Sequence, residues 1–155
     1  PTGDTGDTGP TGDTGDTGPT GDTQTTADGG FYVTLLNDTG ATSVKGTIVR
    51  ASATTNFAVS IAPANYDQPI GVIYEDGIAN GAPVKVVISG PAQVLLKDGL
   101  ASTNGYWCGV SDVAGRMYQV VDPPSTTEHN REIGHSLQAI ASGTNVLSLV
   151  TLHFN

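Results

Sequence analysis

The chain has 155 residues, a formal net charge of −9 and a sequence pI near 4.3. Such an acidic surface argues against nucleic acid or an anionic membrane as an electrostatic partner. The single cysteine excludes a disulfide framework within the chain, and no apolar run approaches the roughly 18 residues of a membrane-spanning helix.

The first 23 residues, PTGDTGDTGPTGDTGDTGPTGDT, place glycine at every third position: Gly3, Gly6, Gly9, Gly12, Gly15, Gly18 and Gly21. Three polyproline-II-like chains wound together leave no room at their axis for a Cβ, so a strict glycine triplet predicts a collagen-like triple helix. Fully wound, such a rod spans roughly 70 Å, at about 3 Å of rise per residue. The repeat opens on a proline in mid-pattern, which predicts a longer stalk upstream. It is a poor triple-helix former. Prolines are few, and five aspartates per chain repel one another with no Lys or Arg in the repeat to answer them. Whatever follows must therefore hold three chains in register. The predicted organisation is a stalk over 1–23, a polar joint over 24–30 (QTTADGG) and a trimerising β domain over 31–155.

After the joint the chain reads as short strands and tight turns. Alternating or apolar runs at 31–37, 45–51, 56–62, 69–75, 83–90, 92–97, 106–111, 115–122, 132–141 and 146–154 predict strands. Asp76-Gly77, Asn80-Gly81, Asp98-Gly99 and Asn104-Gly105 supply turns with positive φ. No stretch keeps a 3.6-residue apolar period, so little helix is expected. The fold class is all-β, a compact antiparallel sandwich or barrel. Pro69–Tyr74 followed by Val84–Ile88 echoes Glu132–Leu137 followed by Val146–Val150: an Ile-Gly strand, a turn, then a strand. The last run is apolar on both faces, which predicts a central strand or one covered by a neighbouring subunit. The strand faces expected to carry subunit contacts are Val84, Val86 and Ile88, with Leu147, Leu149, Val150, Leu152 and Phe154.

No catalytic, cofactor-binding or metal-ligating residues are assigned. Asp38-Thr39-Gly40-Ala41 matches the short motif of aspartic proteases, but a shared-proton dyad needs a two-fold axis where the stalk imposes three chains. It reads as a turn. Glu128, His129, Glu132 and His135 are the densest group of potential ligands, yet their spacing matches no defined zinc motif and they read as a structural loop. His153 reads as a hydrogen-bonded histidine at a subunit contact, with a three-fold ring of His153 around an ion as the alternative. Cys108 reads as a small buried residue beside Trp107.

The order Asn37…Thr39-Gly40, Gly46-Thr47…Val49, Ile70-Gly71-Val72, Pro83-Val84…Val86, Ser89-Gly90, Tyr106-Trp107, Gly115-Arg116 and Ile133-Gly134…Leu137 resembles a small β domain. That domain is found in capsid decoration, or cement, proteins of tailed bacteriophages and in head-fibre bases. The likeness covers nearly all of 31–154. It implies a non-enzymatic trimer on the capsid surface that locks neighbouring subunits of the major capsid protein, with the collagen-like stalk as a fibre. A stalk on the N-terminal side departs from the simple decoration pattern. The alternative is a receptor- or glycan-binding tip of a tail fibre or bacterial surface adhesin, with Tyr106 and Trp107 offered to sugar.

Overall fold

The computed structural model describes residues 2–3, 24–120 and 125–154. Of the axis glycines only Gly3 is among them; Gly6, Gly9, Gly12, Gly15, Gly18 and Gly21 lie outside the described residues.

The described residues form β1 (Phe31–Asn37), β2 (Ile48–Ala51), β3 (Ala58–Ile61), β4 (Gly71–Ile73), β5 (Pro83–Leu95), β6 (Trp107–Val110), β7 (Met117–Val120), α1 (Thr126–His129), β8 (Glu132–Ser136) and β9 (Leu147–Leu152). The chain is all-β, as its alternating runs predict. The helix is a single turn held by a capping box: Ser125 Oγ accepts from Glu128 N, and the Glu128 carboxylate accepts from Ser125 N. The Ser125 amide first, and then its hydroxyl, hold the Glu128 carboxyl below its ordinary pKa.

The two runs expected at 83–90 and 92–97 form one strand of 13 residues. Proline within a strand removes a ladder donor, and this usually splits the strand. Here Pro91 sits where β5 changes partners. Its first half pairs antiparallel with β1 as far as Ser89 and with β4 as far as Val87, and from Gly90 onward it pairs with β9. Gly90 takes a positive φ of 77° at the changeover, a conformation only glycine adopts freely.

The first half of β5 closes a five-stranded barrel in the order β1-β3-β2-β4-β5, because β1 pairs with both β3 and β5. The β1–β3 pairing is parallel, whereas an antiparallel arrangement was expected throughout. The second half of β5 starts another sheet, β5-β9-β8-β6-β7, which curls until Leu96 bridges Met117 in parallel.

These two halves repeat one topology residue by residue. The pair Val33↔Val86 in the first is matched by Ala92↔Val150 in the second, Ile48↔Val72 by Trp107↔His135, Val49↔Gly71 by Cys108↔Gly134, and Ala51↔Val59 by Val110↔Met117. The parallel closure Asn37↔Val59 is matched by Leu96↔Met117. Loop anchors repeat too. Ser43 Oγ donates to Glu75 O at 2.6 Å, and Ser102 Oγ donates to Gln138 O at 2.7 Å. Gly46 N donates to Ile73 O, and Gly105 N to Ser136 O. The Ile-Gly echo in the sequence is thus the visible part of a duplicated five-strand unit in which β5 ends one copy and begins the next.

The copies fill their interiors differently. Val49, Val59, Ile73, Val84 and Val86 pack together in the first barrel. Their counterparts in the second are Cys108, Met117, Ser136, Ser148 and Val150. The two serines are buried without penalty because Ser102 Oγ lies 2.7 Å from both Ser136 Oγ and Ser148 Oγ. A second, larger cluster joins Ile48, Val72 and Val87 of the first copy to Val94, Leu96, Val110 and Ile133 of the second, so the two units pack on one another while the first barrel keeps an interior of its own. Val84, Val86, Val150 and Leu152, expected at a subunit contact, are consumed inside the chain's own core, while Ile88, Leu147, Leu149 and Phe154 stay half-buried. The final run is central, as its two apolar faces predict: β9 lies between β5 and β8.

Ile73→Ala empties part of the first barrel at a fully buried position. Urea unfolding is expected to show a loss of about 2–5 kcal/mol.

Candidate functional site

The residues of chemical interest gather on the outer side of β8 and β9, next to α1. β8 would normally place Glu132 and His135 on opposite faces, since side chains alternate along a strand. A bulge removes that alternation. On β6 the pairs Cys108↔Gly134 and Gly109↔Glu132 are consecutive, so β8 spends one extra residue against β6. Gly134 makes this possible with a φ of 144°. A Cβ there would overlap the carbonyl oxygen of Thr151 on β9. His135 pairs with Thr151, and two residues further on, just past the end of β9, His153 falls diagonally on the same side. His153 N also donates to Ile133 O at 3.0 Å, which fixes the strand end that carries it.

The result is a compact cluster. His135 Nδ1 and His153 Nε2 are 2.9 Å apart, and Glu132 Oε1 lies 4.0 Å from the first and 3.6 Å from the second. The two imidazoles are inclined by only 27°. Glu132 Oε2 meets His129 Nδ1 at 3.0 Å from the last turn of α1. The Glu132 side chain is 5% exposed, whereas those of His135 and His153 are 45% and 48% exposed, so the carboxylate forms the floor and the imidazoles the open rim.

The sequence grouping of Glu128, His129, Glu132 and His135 is therefore redrawn. Glu128 turns away to cap α1, and His153, 18 residues from His135, takes its place. The signal that could have found this was a glycine inside a strand pattern, which marks a bulge or a close backbone approach. Comparison with the first copy sharpens it: Val72, paired with Ile48, stands where the second copy has His135, paired with Trp107.

Other candidates resolve differently. Trp107 is 4% exposed and packs edge-on against Tyr118, with its ring laid over Gly109, so it cannot offer a face to a sugar as expected of an exposed aromatic. Asp38 lies in a turn, where its carboxylate accepts from Ser52 Oγ and Thr54 Oγ1; these hydroxyls, Ser52 first, hold its pKa below the ordinary value. A cleft of about 400 Å³ between Leu100, Tyr118 and Arg131 also borders Lys97, but its cations are engaged: Lys97 with Asp112 at 2.7 Å, and Arg131 with Asp67 at 3.5 Å. Cys108 is fully buried on β6, and that burial pushes its thiol pKa up to about 12.

No protein-family model matches the chain, and no curated protein matches it. What the fold and the site define is an all-β protein of two fused five-strand units, with a glutamate–histidine cluster on the second only.

At pH 8 a thiol of pKa near 12 is ionised in only about one molecule in ten thousand. Native Cys108 is expected to stay silent toward a disulfide reagent for hours and to react within minutes once urea unfolds the chain; fast native labelling would contradict this burial. Gly134→Ala is expected to destabilise the fold by on the order of 3 kcal/mol, read from the shift of the urea midpoint, because both the φ and the contact with Thr151 forbid a side chain.

Proposed function

We propose that this chain is a non-enzymatic virion structural protein, a capsid decoration or head-fibre trimer whose β domain aligns a collagen-like stalk. The observation that carries the reading is the unbroken glycine triplet of residues 1–23 joined directly to a β domain. A stalk of this composition needs an external clamp, and the joint is built to transmit one. Thr25 bridges Phe31, and Tyr32 N donates to Gln24 O at 2.9 Å, so the residue that ends the repeat is tied to β1. Thr26 N and Gly30 O bond at 2.8 Å to close the turn, and Ala27 N donates to the Tyr74 hydroxyl. Gly30 packs so closely on Pro91 that a Cβ would collide with the Pro91 carbonyl. Three such joints brought together would start three chains in one register.

The surface available for the two other copies includes Phe31, Ile61, Val113 and Leu137, all exposed, with Leu149 half-buried beside Leu137. Phe57 is 85% exposed at a turn, with a positive φ of 53°. A bulky aromatic held outward in a conformation unfavourable to it fits a contact with another molecule, and the major capsid protein lattice is the partner this reading supplies.

Native mass measurement is expected to give three times the 15.8 kDa chain. Far-ultraviolet circular dichroism should show a low-melting triple-helix band on top of the β signal. Gly12→Ala should lower the melting of that band while the mass stays trimeric. A monomer or dimer, or a trimer without the band, would sink the proposal.

A further inference from the structure

We propose that Glu132, His135 and His153 form a binding site for a late first-row divalent metal ion, with Zn²⁺ the foremost candidate. All three ligands come from one chain, so the site does not depend on the trimer or on the capsid role.

The geometry supports it directly. The circle through three atoms separated by 2.9, 3.6 and 4.0 Å has a radius of about 2.1 Å, so an ion at Zn–N and Zn–O bond length reaches all three, and a slight contraction of the triangle lifts it out of their plane toward a fourth ligand. A tetrahedral face around zinc has edges of about 3.3–3.4 Å, and the three edges here average close to 3.5 Å. Movements of a few tenths of an ångström would equalise them. One nitrogen of each imidazole comes to within 2.9 Å of the other, His135 from β8 and His153 from just past the end of β9, placed by the His135↔Thr151 register and by the bulge at Gly134.

The chemistry of the set selects the ion. Two imidazole nitrogens and one carboxylate oxygen suit zinc, copper or nickel and not calcium or magnesium, which take oxygen ligands. The half-exposed rim leaves a fourth position for water. His129 on Glu132 Oε2 supplies the supporting contact that a ligating carboxylate normally has, orienting Oε1 toward the imidazoles. Without an ion, one of His135 and His153 must donate an N–H and the other accept it to sit at 2.9 Å. With one, both present lone pairs and the ion replaces that proton. The first copy carries Val72 at the place of His135, so the site is an addition to the repeated frame and not a requirement of it.

The test uses the untagged full chain. Calorimetric titration with ZnCl₂ is expected to show one high-affinity ion per chain, reversed by a chelator, with the thermal midpoint rising as the ion is added. Because the stalk aspartates can collect cations loosely, the variants decide. His135→Ala and His153→Ala lie on the exposed rim and should keep the β signal and urea midpoint, yet each should weaken binding on the order of 100-fold. Glu132→Gln, nearly isosteric, should weaken it similarly, and His129→Gln about tenfold. Co²⁺ should give intense visible bands of a four-coordinate site in the parent chain and not in the His variants. Binding unchanged in both His variants, or a stoichiometry explained by the stalk alone, would overturn the proposal and leave a hydrogen-bonded histidine pair.

Discussion

The strand β5 is the member on which the rest of the molecule depends. It is 13 residues long and spends its first half closing one barrel and its second half opening another. A strand can serve two sheets only if its hydrogen-bonding edges are released and re-engaged somewhere along its length. Gly90-Pro91 is that place. The proline has no N–H to leave unpaired, and the glycine supplies a backbone angle that re-aims the strand. The joint to the repeat lies against the same point, with Gly30 pressed on Pro91, so entry of the chain, closure of the first barrel and departure of the second are one local problem.

Around this spine the same five-strand unit occurs twice, and the differences between copies are informative because the frame is held constant. Positions that are all aliphatic inside the first barrel become partly hydroxylic in the second, where Ser102, Ser136 and Ser148 satisfy one another. That exchange trades aliphatic packing for hydrogen bonds that tie the 138–140 segment to the barrel. On the outside, Val72 of the first copy is covered by the core cluster between the two units, whereas the side chain of His135 at the matching position is 45% exposed. The imidazole of His135 keeps its contact with water there, while the Glu132 carboxylate beneath it is buried and held by its histidine partners.

On the proposed reading, a stalk that repels itself and a head that offers apolar surface would suit each other physically. Self-repulsion of aspartates weakens with salt, while apolar contacts do not, so an assembly of this kind would be held from the head and only extended by the stalk. Such a division of labour would require a tied joint, since a loose linker would pass no register to the chains it joins, and residues 24–30 are tied to β1.

The glycine triplet, the strand runs, the turns at Asp-Gly and Asn-Gly and the scarcity of helix were all legible in the residues, because each follows from local sterics or from the two-residue period of a half-buried strand. So was the central place of β9, from apolar residues on both its faces. Only the tertiary structure decided that 83–95 is one strand, that β1 and β3 run parallel, that Trp107 is buried, and that Val84, Val86, Val150 and Leu152 serve the chain's own core. Partner choice and register are set by contacts between residues distant in sequence, which no local pattern encodes. The glutamate–histidine cluster shows the reason most plainly. Glu132, His135 and His153 meet through an antiparallel register and a one-residue bulge, and a shift of a single residue in either would send them to different faces.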